Sequence, residues 1–127
     1  MIHLPQNFPF ESRFLISMLI TVIVETAVIL ALIRFLFKLS PGRIGWARCL
    51  FAGFYASFAT IPYLWFVLPA YISSYIACIL VGEIGAFILE AIAYVFFLNL
   101  PLRRAAVLSL IANMSSIAVG LTLLPPF

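Results

Sequence analysis

Apolar residues run almost without interruption through four stretches of this chain, and polar residues gather between them. The stretches cover about residues 14–37, 47–68, 71–98 and 104–123. Each is near or above the roughly 20 residues that a membrane-spanning helix needs. Ser40-Pro41-Gly42 breaks the first run, the Leu68-Pro69 step ends the second, and Asn99-Leu100-Pro101-Leu102 separates the third from the fourth. A backbone in lipid must satisfy its own hydrogen bonds, and runs this continuous lack a barrel's alternation, so the pattern predicts helices. The third run is long enough to require tilt. Residues 1–13, broken by Pro5 and Pro9 and carrying His3, Glu11 and Arg13, read as an interfacial lead-in. The first apolar run exceeds the roughly 7–15 residues of a signal-peptide core, and no small-residue cleavage site follows it, so it is expected to remain as a span.

Composition agrees with the pattern. Of 127 residues, 66% are hydrophobic and only 9% are charged, where a soluble domain carries about 25% charged residues. A chain this small could not hide so much apolar surface from water. The expected fold is an all-α membrane protein, a single four-transmembrane-helix bundle over residues 1–127, integral and multi-pass in a bacterial or archaeal plasma membrane. The bilayer is its first partner.

The net charge of +3 matters less than its placement. Arg34, Lys38, Arg43 and Arg48 flank the first loop, and Arg103 and Arg104 follow the third. The second loop, near Pro69 to Ser74, carries no basic residue, and neither does the C-terminus. Positive charge favours the cytoplasmic side, so loops one and three are expected there, with the N- and C-termini on the non-cytoplasmic side. The basic residues therefore read as topology, and no nucleic-acid partner is expected. Arg34 is expected to reach the cytoplasmic interface along its own stem. Trp46, Tyr63, Trp65, Tyr71 and Tyr75 fall near helix ends, where aromatic belts form. Cys49 and Cys78 lie far apart in apolar surroundings and read as small buried residues.

Three of the four acids, Glu25, Glu83 and Glu90, fall inside predicted spans. A carboxylate at mid-membrane costs about 2.5–3.5 kcal/mol on the Asp insertion scale, unless it faces protein, pairs or carries a proton. Such a residue is a candidate functional group by default. Ser17, Thr21 and Glu25 share one stripe, and Glu83, Ala86, Glu90 and Ala93 share another flanked by Gly82 and Gly85. A third stripe holds Ser109, Asn113, Ser116 and Gly120. Small and polar stripes are the faces by which membrane helices meet, so the acids are expected to point into the bundle. Glu83 is placed near the centre of helix three and Glu90 nearer the cytoplasm. At least one of the three acids is expected to hold a proton at neutral pH. The chain also admits a two-helix parallel repeat: a glutamate helix, a basic loop, then a helix with a small polar pair, Ser57 and Thr60 or Asn113 and Ser116.

These residues define the candidate site. Glu25, Glu83 and Glu90 are the expected ion- or proton-binding groups, with Thr60, Asn113 and Ser116 as hydrogen-bond partners. No phosphate-cradling loop, HExxH or nucleophile–base spacing is present, so no soluble-type enzyme and no cofactor is expected; an intramembrane enzyme acting on a lipid is a third reading, with carboxylates but little head-group machinery outside the membrane. Whether a metal binds is left open; three carboxylates would suit only a hard divalent ion. The function expected is small proton- or cation-coupled transport, acting as a homo-oligomer. The alternative is an accessory or assembly subunit of a larger membrane complex. In helix count and in Glu25 the chain resembles the small multidrug-type exporters. Glu83, Glu90, two strongly basic loops and a helix three unlike that family's glycine- and tryptophan-bearing segments depart from it, so the likeness is a physical analogy.

Overall fold

The computed structural model describes residues 10–124. The described residues form four long helices and no strand: α1 (Phe10–Leu36), α2 (Trp46–Tyr71), α3 (Tyr75–Leu98) and α4 (Leu102–Leu123). All four are long and apolar enough to cross a membrane. Residues 10–13 of the expected lead-in belong to α1, while residues 1–9, with His3, lie outside the described residues.

Helix ends follow local chemistry. Helix α2 does not stop at Leu68-Pro69, where the sequence suggests a break. After Pro62 it widens into a π turn over Tyr63–Val67 and then continues through Pro69 to Tyr71. A proline lacks the N–H that continues the ladder and displaces the carbonyl one turn back, and a widened turn absorbs that mismatch without ending the helix. Helix α3 starts later than expected, at Tyr75, because Ser74 serves as its N-cap and accepts from the Ala77 N–H at 3.4 Å. It ends at Asn99, whose φ of 52° is the left-handed conformation that terminates helices.

The first loop folds back onto the bundle. Leu39 and Ile44 are buried, and the Arg34 guanidinium donates to the carbonyls of Leu39 at 2.9 Å and Ile44 at 2.7 Å. The same group stacks over Trp46 at 4.6 Å. Arg34 is thus a brace for the loop rather than a side chain simply reaching for the interface. Its planar fork suits two carbonyls at once, which a lysine could not match.

The helices form a ring. Helix α1 packs on α2 and α4, and α3 packs on the same two, so α1 and α3 face each other across a diagonal. Small residues let α1 and α2 approach closely: a Cβ on Gly53 would lie 3.1 Å from the Thr26 Cα. The filling of the ring is uneven along its axis. Ile29, Ile33, Cys49, Tyr94, Leu98 and Leu108 are fully or almost fully buried, and all lie in the half nearest the basic loops. In the other half Ser17, Thr21, Ala86 and Gly120 are among the lining residues, and the helices part around a cavity of about 650 Å³. Large side chains plug one end and small ones leave the other end hollow.

Candidate functional site

Glu25 and Glu90 stand where the plug meets the cavity. Each is 1% exposed. Glu25 on α1 accepts from Ser57 on α2 and from Ser116 on α4, the latter at 3.0 Å. Glu90 on α3 accepts from Thr60 on α2 at 2.9 Å and from the Asn113 amide on α4 at 2.5 Å. Each carboxyl thus lies between its two neighbouring helices and takes one donor from each.

The donors are arranged regularly. Ser57 and Thr60 are one turn apart on α2, as are Asn113 and Ser116 on α4. The first member of each pair bonds the acid of its own half of the chain, Ser57 to Glu25 and Asn113 to Glu90. The second member crosses over, Thr60 to Glu90 and Ser116 to Glu25. All four helices are stitched together at one level.

The hydroxyl donors also have a second possible acceptor. Ser57 Oγ lies 2.9 Å from the Gly53 carbonyl, Thr60 Oγ1 lies 3.1 Å from that of Ala56, and Ser116 Oγ lies 3.0 Å from that of Asn113. A hydroxyl has one proton and accepts on its lone pairs. Facing an ionised carboxylate, it donates to the acid. Facing a protonated acid, it accepts the acid's proton and turns its own to the backbone carbonyl. The heavy atoms need not move, so the network is satisfied with or without an added proton. Asn113 has two amide protons, one for Glu90 and one for the Ser109 carbonyl at 2.9 Å, so it remains a donor throughout. A proton on Glu90 would therefore sit on the oxygen facing Thr60, since the other oxygen faces the Asn113 amide.

Glu83 is placed differently from the expectation. It does not sit level with Glu25; Glu90 does. Glu83 lies two turns up α3 on the cavity wall, partly exposed, and makes no hydrogen bond to the protein. Thr60, Asn113 and Ser116 fall at the predicted site, and Ser57, read in the sequence only as half of a small polar pair, is as close to an acid as any of them. A second, smaller groove of about 390 Å³, lined by Tyr55, Tyr63, Leu89 and Phe97, reaches Glu90 and Thr60 from the side.

Tyr94 is the feature that sequence reasoning missed. It lies one turn beyond Glu90, fully buried in the plug, and its hydroxyl has no partner. An apolar stripe position gives no signal that a phenol would be stranded there. Leaving a buried hydroxyl unpaired costs about 1–3 kcal/mol. Tyr94→Phe is therefore expected to stabilise the bundle by roughly 1 kcal/mol, read as a higher denaturant midpoint in detergent. A lower midpoint would instead assign the hydroxyl a bridging water.

No group of three histidine, cysteine or acidic side chains converges to hold a metal ion among the described residues. Cys49 and Cys78 are free and buried. No family model matches the chain, and no curated protein or solved structure matches it either.

Proposed function

We propose that this protein is a small proton- or cation-coupled transport protein, with Glu25 and Glu90 as the groups that take up and release the coupling ion. The observation that carries this reading is the buried pair of acids, each held by at least one single-proton hydroxyl donor, at the floor of a one-sided cavity. A purely structural hydrogen-bond layer would serve as well with neutral amides. Carboxyls add a group that can change charge without repacking, and the cavity gives that group a route to one side. We read the basic loops as cytoplasmic, which makes the cavity outward-open and the plug the closed inner gate.

We also read the halves as a parallel repeat. Cys49 and Ala105, Ala52 and Leu108, Ala56 and Ala112, Ser57 and Asn113, Thr60 and Ser116 are all buried pairs separated by 56 positions. Glu25 and Glu90, Ile29 and Tyr94, Ile33 and Leu98 are buried pairs separated by 65. Under this correspondence Glu83 falls opposite Met18, so it is the acid that breaks the symmetry.

The test is flux. Protein in liposomes with an internal pH dye should dissipate a proton gradient when a transported monovalent cation is added outside. Rates equal to those of empty liposomes for every alkali cation and simple amine tried would sink the transport reading. The lateral groove to Glu90 supports a second reading, an accessory subunit whose partner helix lies along the face formed by Tyr55, Tyr63, Leu89 and Phe97. Under that reading a stoichiometric partner survives gentle purification and is lost when Ala59 in the groove becomes Trp.

A further inference from the structure

Below the exposed Ser73 and Tyr75 at its rim, the cavity contains unmet hydrogen-bonding capacity on two facing helices. On α3, the Glu83 carboxyl faces it without a protein partner. On α1, across the diagonal, Ser17 and Thr21 line the same space, and their hydroxyls also make no hydrogen bond. Glu25 and Glu90, deeper in the same cavity, are each already bonded twice. The remaining wall is largely apolar, with Ile20, Leu64, Trp65, Ile79, Ile117 and Leu121. The only basic lining residue among those described is Arg13, in the first turns of α1 at the mouth.

We propose that this cavity binds a primary amine carrying an apolar body, its ammonium held by Glu83, Ser17 and Thr21 and its body against the Leu64–Trp65 wall. This names the cargo class and rests on the transport reading for its purpose, though not for its test. An ammonium offers three donors and no acceptor, matching one carboxylate and two hydroxyl oxygens. The contact to Glu83 is a charge-assisted hydrogen bond between apolar walls, where it is stronger than in water. A bare divalent metal ion fits less well, because hard cations take about six or more oxygens and no three acidic, histidine or cysteine side chains converge among the described residues. A volume of about 650 Å³ with apolar walls and a few polar groups lies within the range of small-molecule sites. An anion would meet three carboxyls and one arginine. A neutral molecule of the same shape would leave Glu83 without a counter-charge.

Binding can be read without flux, because Trp65 is part of the wall. The full chain in lipid nanodiscs is titrated with 2-phenylethylamine and, separately, with 2-phenylethanol, which has the same body and no charge. Trp65→Phe identifies the signal that comes from the cavity, since Trp46 lies at the opposite end. The amine is expected to give a saturable change at a concentration at least tenfold lower than the alcohol. Glu83→Gln should remove that preference, and Ser17→Ala with Thr21→Val should weaken amine binding several-fold. Glu11→Gln, at a carboxyl outside the cavity, should retain the preference, and because Glu83 bonds no protein group, its variant should fold as the wild type does. Equal binding of amine and alcohol, a preference that survives Glu83→Gln, or no saturable amine signal would each overturn the proposal. Saturable, Glu83-dependent binding in a protein that passes no cation would support the site and overturn the transport reading alone.

Discussion

Glu90→Gln is expected to leave the bundle folded and to reduce coupled flux at least tenfold, to the level of empty liposomes. The glutamine amide copies the shape and hydrogen bonding of a protonated glutamate. Its carbonyl accepts from Asn113, and its NH₂ donates to Thr60, whose own proton turns to the Ala56 carbonyl 3.1 Å away. Every buried group keeps a partner, so stability should change by less than about 1 kcal/mol. What is lost is the ability to alternate between charged and neutral forms. Glu90→Leu provides the contrast. It leaves the Asn113 amide and the Thr60 hydroxyl with one acceptor fewer, and should lower stability by about 1–3 kcal/mol. Flux from proteoliposomes and denaturant midpoints in the same lipid separate the two effects. A glutamine variant that transports at the wild-type rate would remove Glu90 from the mechanism.

Gly53→Val is expected to be the most damaging change to the fold, lowering stability by about 1–3 kcal/mol or more, as overpacking does. A Cβ at Gly53 meets Thr26 at its hydroxyl, its Cβ and, at 3.1 Å, its Cα. Backbone cannot rotate away, so α1 and α2 must part. The Ser57–Glu25 bond lies one turn along the same contact and would be pulled open with it. Gly82→Ala should cost less although its built Cβ also overlaps a neighbour, because the obstructing atoms are the ends of the Leu64 and Leu68 side chains. Gly85→Ala and Gly120→Ala meet nothing within 4 Å and should be neutral or slightly stabilising, since alanine is the better helix former. Denaturant midpoints of the four variants should rank in that order. If Gly53→Val were as mild as Gly120→Ala, the close α1–α2 crossing would be wrong.

Much of this arrangement can be read from the chain because lipid leaves few options. Apolar runs of spanning length set the four helices, and the penalty for a carboxyl in lipid turns Glu25 and Glu90 inward. Their partners Thr60, Asn113 and Ser116 are legible because they lie at similar depth on small polar stripes. Other features depend on information a periodicity does not hold. Glu83 and Glu90 share one stripe, so angle alone treats them alike. Which one lies level with Glu25 depends on how far α3 is shifted along its axis, which the stripe does not report. Pro69 reads as a stop, and only the widened turn after Pro62 shows how the helix passes it. Arg34 reads as an interfacial anchor because the buried Leu39 and Ile44, whose carbonyls it holds, lie in a segment that looks like an ordinary polar loop. The hollow half of the ring is likewise invisible until it is known that Ser17, Thr21, Ala86 and Gly120 line the same space.

Coupled transport by this bundle requires that the buried acids exchange a proton within an unchanged fold. Infrared difference spectra of the reconstituted protein, recorded between acidic and alkaline buffer, read this directly. The prediction is a protonated-carboxyl band that disappears as pH rises while the helical amide band stays constant, with one component absent in Glu90→Gln and another absent in Glu25→Gln. If no carboxyl band changes over the range in which the helices persist, or if the whole band survives in both variants, the two acids are structural contacts and the mechanism proposed for them is wrong.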